Sequence, residues 1–209
     1  MACSPIGKNE RRVNQFNKIR LWCSMADGLA KYGVSLGNEK LFDYIDMNCG
    51  DVPQGEFEQV IDLSSPHQFL AMYTQIAEDR FAFAVTELLK MNTGLESIKK
   101  FCFDAAKNQI SALQMKIDSA LDAFELYKAF VLDGMPCDET KNVTCETQDK
   151  VEWQKLLDTH EKSWAKAGGN LSVYYELQKS FVLGLFSACE NAKFSFEIKD
   201  DSVFTINKC

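Results

Sequence analysis

The sequence has little proline and glycine: 4 prolines and 11 glycines occur in 209 residues. Because these residues interrupt regular elements, their scarcity favours long, uninterrupted elements. No apolar run reaches the roughly 18 residues that a membrane-spanning helix needs. The first residues lack the apolar core of a signal peptide, so we expect a cytosolic protein or a mature form whose signal peptide has been removed. Hydrophobic residues make up 46% of the chain, which excludes an intrinsically disordered protein.

Motifs that carry catalytic chemistry are also scarce. The sequence has no Cys-x-x-Cys pair, glycine-rich phosphate loop or nucleophile elbow. It has two histidines, His67 and His160. His160 shares a predicted helical face with Trp153 and Trp164, which indicates a packed core histidine, and we expect His67 to be solvated. We therefore predict that the chain is not an enzyme and has no catalytic residue, metal ion or cofactor.

One segment, 46–51, resembles the start of a calcium-binding loop because Asp46 and Asp51 flank a glycine. The glycine falls one position early, and Phe57 stands where such a loop needs a glutamate. A capped turn is the simpler interpretation of this segment.

Eight cysteines and two glycosylation sequons bear on the compartment. The even cysteine count and the sequons at Asn142 and Asn170 fit a secreted protein. Cys137 and Cys145 enclose a short polar loop and can form a local disulfide in an oxidising compartment. Three other cysteines lie on apolar helix faces: Cys23, Cys102 and Cys189. A free thiol packs there as a small hydrophobic group, and we expect the cytosol, with secretion as the alternative.

Apolar residues at spacings of three and four predict helices over most of the chain. The predicted helices cover 8–33, a stretch from Pro66 to a break at 92–94, 95–133 and 148–190. Ser65 and Pro66 form the clearest start signal, a capping residue followed by proline at the first helical position. Residues 194–206 alternate in the manner of a β-hairpin, and a frayed helix end is the alternative.

Two of the predicted helices are too long for a sphere of this mass. The helix 95–133 would span about 58 Å and 148–190 about 64 Å, against a diameter of roughly 45 Å for the domain. We therefore predict an all-α fold, an elongated antiparallel bundle of three long, kinked helices in a single domain, 1–209, with a short C-terminal hairpin. Residues 134–148 form a loop at one tip. A slender bundle buries little apolar surface, which favours a homodimer.

Basic residues cluster in three places. Lys155, Lys162 and Lys166 fall on one predicted helical face, and Lys100 and Lys107 share another. The first predicted helix carries a third cluster beside one acid, Glu10: Lys8, Arg11, Arg12, Lys18 and Arg20. A solvated face explains any single cluster, but three along one bundle predict contact with anionic lipid through the five lysines named first. The net charge of −7 argues against nucleic acid as a partner.

Three segments carry a family resemblance. Residues 26–37, Ala-Asp-Gly-Leu-Ala-Lys-Tyr-Gly-Val-Ser-Leu-Gly, precede a second helix kinked before 95–101 and a third that includes 176–194. This pattern resembles the BAR-domain family of membrane-curvature proteins over nearly the whole chain. The resemblance implies a crescent-shaped homodimer whose basic concave face and tips contact curved, anionic membranes. The kink at 92–94 lacks the proline of many members, and the tip at 137–141 is acidic.

The leading hypothesis is therefore a cytoplasmic, peripheral-membrane homodimer, a BAR-like scaffold that binds or senses curved anionic membranes. The alternative is a secreted, disulfide-stabilised helical protein that binds another protein, such as a receptor ligand or effector. A carrier of a small apolar ligand is a third interpretation, because the chain has 15 phenylalanines. Eight free thiols would favour the cytosol, and none would favour secretion.

Overall fold

Helices and a small sheet make up the fold in a computed structural model, which describes residues 7–62, 64–111, 113, 115–190 and 193–209. The helices are α1 (Lys8–Ser35), α2 (Leu41–Cys49), α3 (Phe57–Val60), α4 (Pro66–Lys90), α5 (Leu95–Ser111), α6 (Ala120–Phe130), α7 (Glu161–Ala167) and α8 (Leu171–Ser187). The strands are β1 (Lys141–Glu146), β2 (Lys150–Lys155), β3 (Phe194–Lys199) and β4 (Val203–Lys208).

The two longest helices, α1 and α4, are those that the apolar spacing predicts most clearly. α1 covers the predicted 8–33 and ends two residues later. α4 begins at Pro66 as predicted, although the side chain of Ser65 makes no capping hydrogen bond. Asn92, with φ 60°, turns the chain after α4, in a left-handed conformation that asparagine tolerates. The two helices pack against each other.

A four-stranded antiparallel sheet, ordered β1-β2-β4-β3, packs against α6 and α8. β3 and β4 form the C-terminal hairpin that the alternating pattern predicts, with Phe196 opposite Ile206. β2 pairs with the other side of β4 and places Trp153 opposite Phe204. These two rings are stacked with 5.4 Å between their centroids. The inner face of the sheet is therefore an aromatic surface that closes one side of the core.

The sheet shows that the all-α prediction, an elongated bundle of three helices, is wrong. The predicted helix 148–190 is divided among β2, α7 and α8. Val151 and Trp153 are buried on the same side of β2, which follows the period of two of a strand. Leu156 and Leu157, which the helical interpretation placed in the core, are 58% and 51% exposed.

The predicted helix 95–133 is also interrupted, because α6 has a start signal of its own. Ser119 Oγ accepts a hydrogen bond from the Asp122 amide, and the Asp122 carboxylate accepts one from the Ser119 amide. This capping box fixes a new helix start. The predicted tip loop, 134–148, contains β1. The longest helix has 28 residues, about 42 Å, and the elements surround one hydrophobic core.

Candidate functional site

A cluster of charged side chains is buried between α4, α8 and the start of α7. The His160 side chain is 3% exposed, with Nδ1 2.7 Å from Glu78 Oε2 and Nε2 3.8 Å from Asp133 Oδ1. Its ring lies 3.8 Å from that of Tyr174, measured between centroids. Lys141 Nζ donates a hydrogen bond to Asp133 Oδ2 at 2.5 Å. The cluster thus connects a buried acid, Glu78, to an ion pair near the surface.

Burial and charge pairing shift the pKa values of Glu78, His160 and Asp133. Desolvation raises the pKa of Glu78. Desolvation lowers the pKa of His160, but the charge and hydrogen bond of Glu78 outweigh it, so the pKa lies above its ordinary value. Desolvation raises the pKa of Asp133, but Lys141 and His160 outweigh it and lower the pKa. A protonated imidazole between two acids is the arrangement that these directions favour.

The cavity beside the buried cluster is too small for a substrate. Its volume of about 10 Å³ accommodates at most one water molecule. Gln178 lines it and donates hydrogen bonds from Nε2 to the hydroxyls of Tyr127 and Tyr174. Its Oε1 has no hydrogen-bond partner in the described part of the chain. We therefore interpret the buried cluster as a structural unit that joins the helices to the sheet.

A second buried charge, Arg80 on α4, connects α1 and α2. Its guanidinium donates to Asp27 at 2.8 Å and to Asp46 at 2.6 Å, and also to the carbonyl of Gly50. Asp46 belongs to the segment that resembles a calcium loop, and here it pairs with an arginine. Over the residues that the structure describes, no group of His, Cys, Asp and Glu is placed to hold a metal ion.

Four open clefts lie in a row along the outer face of α1, with volumes of about 450, 310, 510 and 410 Å³. Neighbouring clefts share lining residues, and we call the row the α1 groove. Its α1 wall consists of Arg11, Arg12, Asn14, Asn17, Lys18, Arg20, Leu21, Ser24 and Met25. The opposite wall is formed by α5, α6 and the segment 131–141. α1 and α5 touch at Gly28, where a Cβ atom would meet the Phe101 ring.

The α1 groove combines apolar and cationic groups. Its apolar lining comes from three elements: Leu21 and Met25 of α1, Phe101 of α5 and Phe130 of α6. Leu113, just beyond α5, adds an apolar side chain that is 57% exposed.

Two cations in the α1 groove contact main-chain oxygens. Lys18 Nζ donates to the Lys128 carbonyl at 3.4 Å, and Arg20 Nη1 donates to the Gly55 carbonyl at 3.1 Å. Within the described ranges, neither forms an ion pair with a carboxylate. Their charges are therefore available to an acidic ligand.

The five lysines predicted to contact lipid lie on three elements, α5, β2 and α7, and their contact with lipid stays a prediction. Three are in ion pairs: Lys100 with Asp104, Lys155 with Asp158, and Lys166 with Asp79. Lys107 and Lys162 are exposed. The predicted face shared by Lys155, Lys162 and Lys166 does not exist, because Lys155 belongs to β2 whereas the other two belong to α7.

The cysteines of the described residues are all free thiols. Cys137 Sγ lies 3.9 Å from His67 Nδ1 at the exposed surface, and Cys145 is partly buried on β1. Cys3 lies outside the described residues. The disulfide between Cys137 and Cys145, which requires an oxidising compartment, stays a prediction.

Both glycosylation sequons lie at exposed positions. Asn142 is on β1, at an edge of the sheet. Asn170 Oδ1 accepts a hydrogen bond from the amide of Ser172 and so caps α8. Modification of either asparagine stays a prediction.

Sequence reasoning missed the buried charges, although α4 carries a signal for them. Glu78, Asp79 and Arg80 are consecutive and interrupt an apolar helix, and all three are buried. Charged residues in such a position need partners from other elements. The basic cluster on the first helix was recognised, but the apolar wall opposite it was not.

Comparisons of the chain with known protein families, with curated proteins and with solved structures found no match. Among the described helices, none is long and apolar enough to cross a membrane. The predicted helices 95–133 and 148–190 are divided among shorter elements, and the BAR-like resemblance stays a prediction.

Proposed function

We propose that the chain is a protein-interaction module whose α1 groove binds an acidic, amphipathic segment of a partner protein. The observation that carries this proposal is one row of open clefts that combines an apolar lining with Lys18 and Arg20, which form no ion pair with a carboxylate within the described residues. It develops the alternative interpretation of the sequence, a protein that binds another protein, without its requirement for secretion or disulfides.

The length of the groove suits a short peptide segment. From Arg12 to Met25 the α1 wall extends about 20 Å, which matches roughly 13 residues of a helical ligand. A pocket for a small molecule encloses most of its ligand, whereas the α1 groove is open along its whole length. An amphipathic helix can place its apolar face against Leu21, Phe101 and Phe130.

The charge of the groove specifies an acidic segment. Lys18 and Arg20 lie two residues apart on α1, and Arg12 precedes them by about two turns. The chain as a whole has a net charge of −7, whereas the clefts of the groove are lined by six basic and four acidic side chains. The groove is therefore more cationic than the rest of the protein. Such a pattern orients an acidic partner by local attraction and opposes adhesion to an extended anionic surface.

Fluorescence anisotropy with a defined probe tests the proposal. The probe is a labelled, helix-forming peptide of leucine and glutamate, with an apolar and an acidic face. We expect saturable binding that weakens as salt is added. Arg20→Glu reverses one charge in the groove, and we expect it to weaken binding about tenfold or more, equivalent to ~1.4 kcal/mol.

Lys107→Glu is the matched control, because it makes the same charge change at an exposed lysine of α5 that does not line the groove. We expect it to change the affinity less than about twofold. Equal losses in both variants, or equal binding of a peptide with lysine in place of glutamate, would refute the proposal. Co-sedimentation with anionic vesicles that Arg20→Glu abolishes, without peptide binding, would assign the groove to membranes instead.

A further inference from the structure

Lys18 occupies a distinctive position in the α1 groove, at the junction of the clefts of about 310 and 510 Å³. Its side chain is partly buried, and Nζ contacts the Lys128 carbonyl. Six other charged side chains line the cleft of about 310 Å³ with it: Arg11, Glu125, Lys128, Asp133, Asp138 and Lys141. Asp133 is paired with Lys141, and Glu125 with Lys128. The amine is thus accessible from two clefts while it lies close to other cations.

This environment disfavours the charged form of the amine. Desolvation, followed by the charge of Lys141, lowers the pKa of Lys18 to about 8, with Asp133 opposing the change. At pH 7.4 about a fifth of the Lys18 amines are then neutral, compared with about one in a thousand for an ordinary lysine. A neutral amine in a cleft is a nucleophile.

We infer that Lys18 is a covalent binding site for a small aldehyde that carries an anionic group such as a carboxylate. The nitrogen lone pair attacks the carbonyl carbon and gives a carbinolamine. The carbinolamine loses its oxygen as water, and a carbon–nitrogen double bond forms. The nitrogen gives up two hydrogens in total, both of which leave in that water, so the step consumes no oxidant, reductant or net proton.

The two clefts and the Arg20 guanidinium explain why we infer a small aldehyde with an anionic group. Open space on both sides of Nζ admits a compound of a few heavy atoms. Arg20 lines the cleft of about 510 Å³ together with Lys18, and no acidic side chain of the described residues lines that cleft, so a carboxylate there can contact the Arg20 guanidinium. This inference goes beyond peptide binding and does not depend on it, because it rests on the amine of one residue.

Reductive trapping with glyoxylate tests the inference. The full chain is incubated with glyoxylate and cyanoborohydride at pH 7.4, which converts an imine into a stable carboxymethyl-lysine, and the sites are mapped by mass spectrometry. We expect Lys18 to be labelled at least about tenfold faster than exposed Lys107, with a rate that rises with pH to a midpoint of about 8. Acetaldehyde, which is neutral, should label Lys18 several-fold more slowly.

Equal labelling of Lys18 and Lys107 in the folded protein would overturn the inference, and equal rates with the two aldehydes would overturn its anionic class. Lys141→Met provides a second variant, which removes the neighbouring cation and leaves Asp133. We expect slower labelling of Lys18 in it at pH 7.4, because its pKa rises. Unchanged labelling in this variant would contradict the role of Lys141. Failure of these tests leaves the peptide-binding result of Arg20→Glu unaffected.

Discussion

Among single residues, His160 has a position that the sequence predicts and a partner that it does not. Its spacing from Trp153 and Trp164 predicted a core position, and the side chain is buried. Its main partner, Glu78, is 82 residues away in sequence. No local pattern contains that pairing, because only the packing of α4 against the start of α7 creates it.

The raised pKa of His160 predicts that stability depends on pH. The folded protein holds the imidazole proton more tightly than the unfolded chain. The stability from this proton is therefore complete below about pH 6.5 and is lost as the pH rises through the folded-state pKa. We expect a lower free energy of unfolding at pH 8.5 than at pH 6, measured by urea denaturation. The lowered pKa of Asp133 stabilises the folded protein above roughly pH 4, and this contribution is lost as the pH falls through the folded-state pKa.

Two variants test this origin of the pH dependence. His160→Gln removes the contribution of the imidazole, so we expect the difference between the two pH values to shrink. Lys18, whose pKa is about 8, also titrates in this range but is present in both proteins. His160→Gln should also destabilise the protein, by roughly 3–5 kcal/mol, because it leaves buried acids without their partner. His67→Gln, at an exposed position, is the control and should keep the wild-type dependence. A His160→Gln profile as steep as that of the wild type would contradict the account.

At the scale of elements, the segment that became β2 shows why a helix was predicted. Trp153, Leu157, His160 and Trp164 recur at helical spacings, while Val151 and Trp153 also fit the alternation of a strand. The local pattern is compatible with both structures. The segment forms a strand because it pairs with β4, about fifty residues later. No local sequence pattern contains that long-range pairing. The C-terminal hairpin was predictable because both of its strands and their turn are adjacent.

The contact between α5 and α8 depends on a glycine. A Cβ atom at Gly184 would collide with the main-chain carbonyl of Phe103 and approach the Cβ of Ala106. Main chain cannot move aside as a flexible side chain can, so we expect Gly184→Ala to lower the free energy of unfolding by about 1–3 kcal/mol.

Gly94→Ala is the matched control for this prediction, because a Cβ atom at Gly94 meets no atom within 4 Å. We expect it to change stability by less than about 1 kcal/mol. Urea denaturation measures both variants. If both substitutions lower the free energy of unfolding equally, the packing of α5 against α8 does not depend on the close approach at Gly184.

Over the whole chain, the predicted helix lengths conflict with the diameter of a domain of this mass, and the predicted elongated bundle is wrong. Helices of about 60 Å do not fit a domain of this mass, and we predicted elongation. The chain instead breaks its helices, at the capping box of Ser119 and at Gly168, whose φ of 69° ends α7. Both signals are present in the sequence, but tertiary packing decides whether such signals end a helix.

The broken helices predict a compact protomer. Small-angle scattering should give a radius of gyration of about 17 Å for a monomer of 209 residues. The mass from the same measurement tests the homodimer, which stays a prediction, since the argument from a slender bundle no longer supports it. A particle of monomer mass with a much larger radius would contradict the fold described above.

The α1 groove also exists only at the scale of the whole molecule. The cations of its α1 wall are evident in the sequence, because five basic residues crowd the first helix. The apolar wall is contributed by Phe101 and Phe130, from helices that follow about eighty residues or more later. Their arrangement opposite Arg20 results from folding, and a single sequence does not contain it.

Binding of an acidic, amphipathic segment in the α1 groove can be followed residue by residue in an NMR titration. Isotope-labelled protein is titrated with the leucine–glutamate peptide, and the chemical-shift changes are mapped onto the structure. We predict saturable changes at groove residues such as Asn17, Ser24 and Gln109, with none at Lys162 on α7. Chemical-shift changes centred outside the α1 groove, or no changes at saturating peptide, would show that the peptide does not bind in the groove.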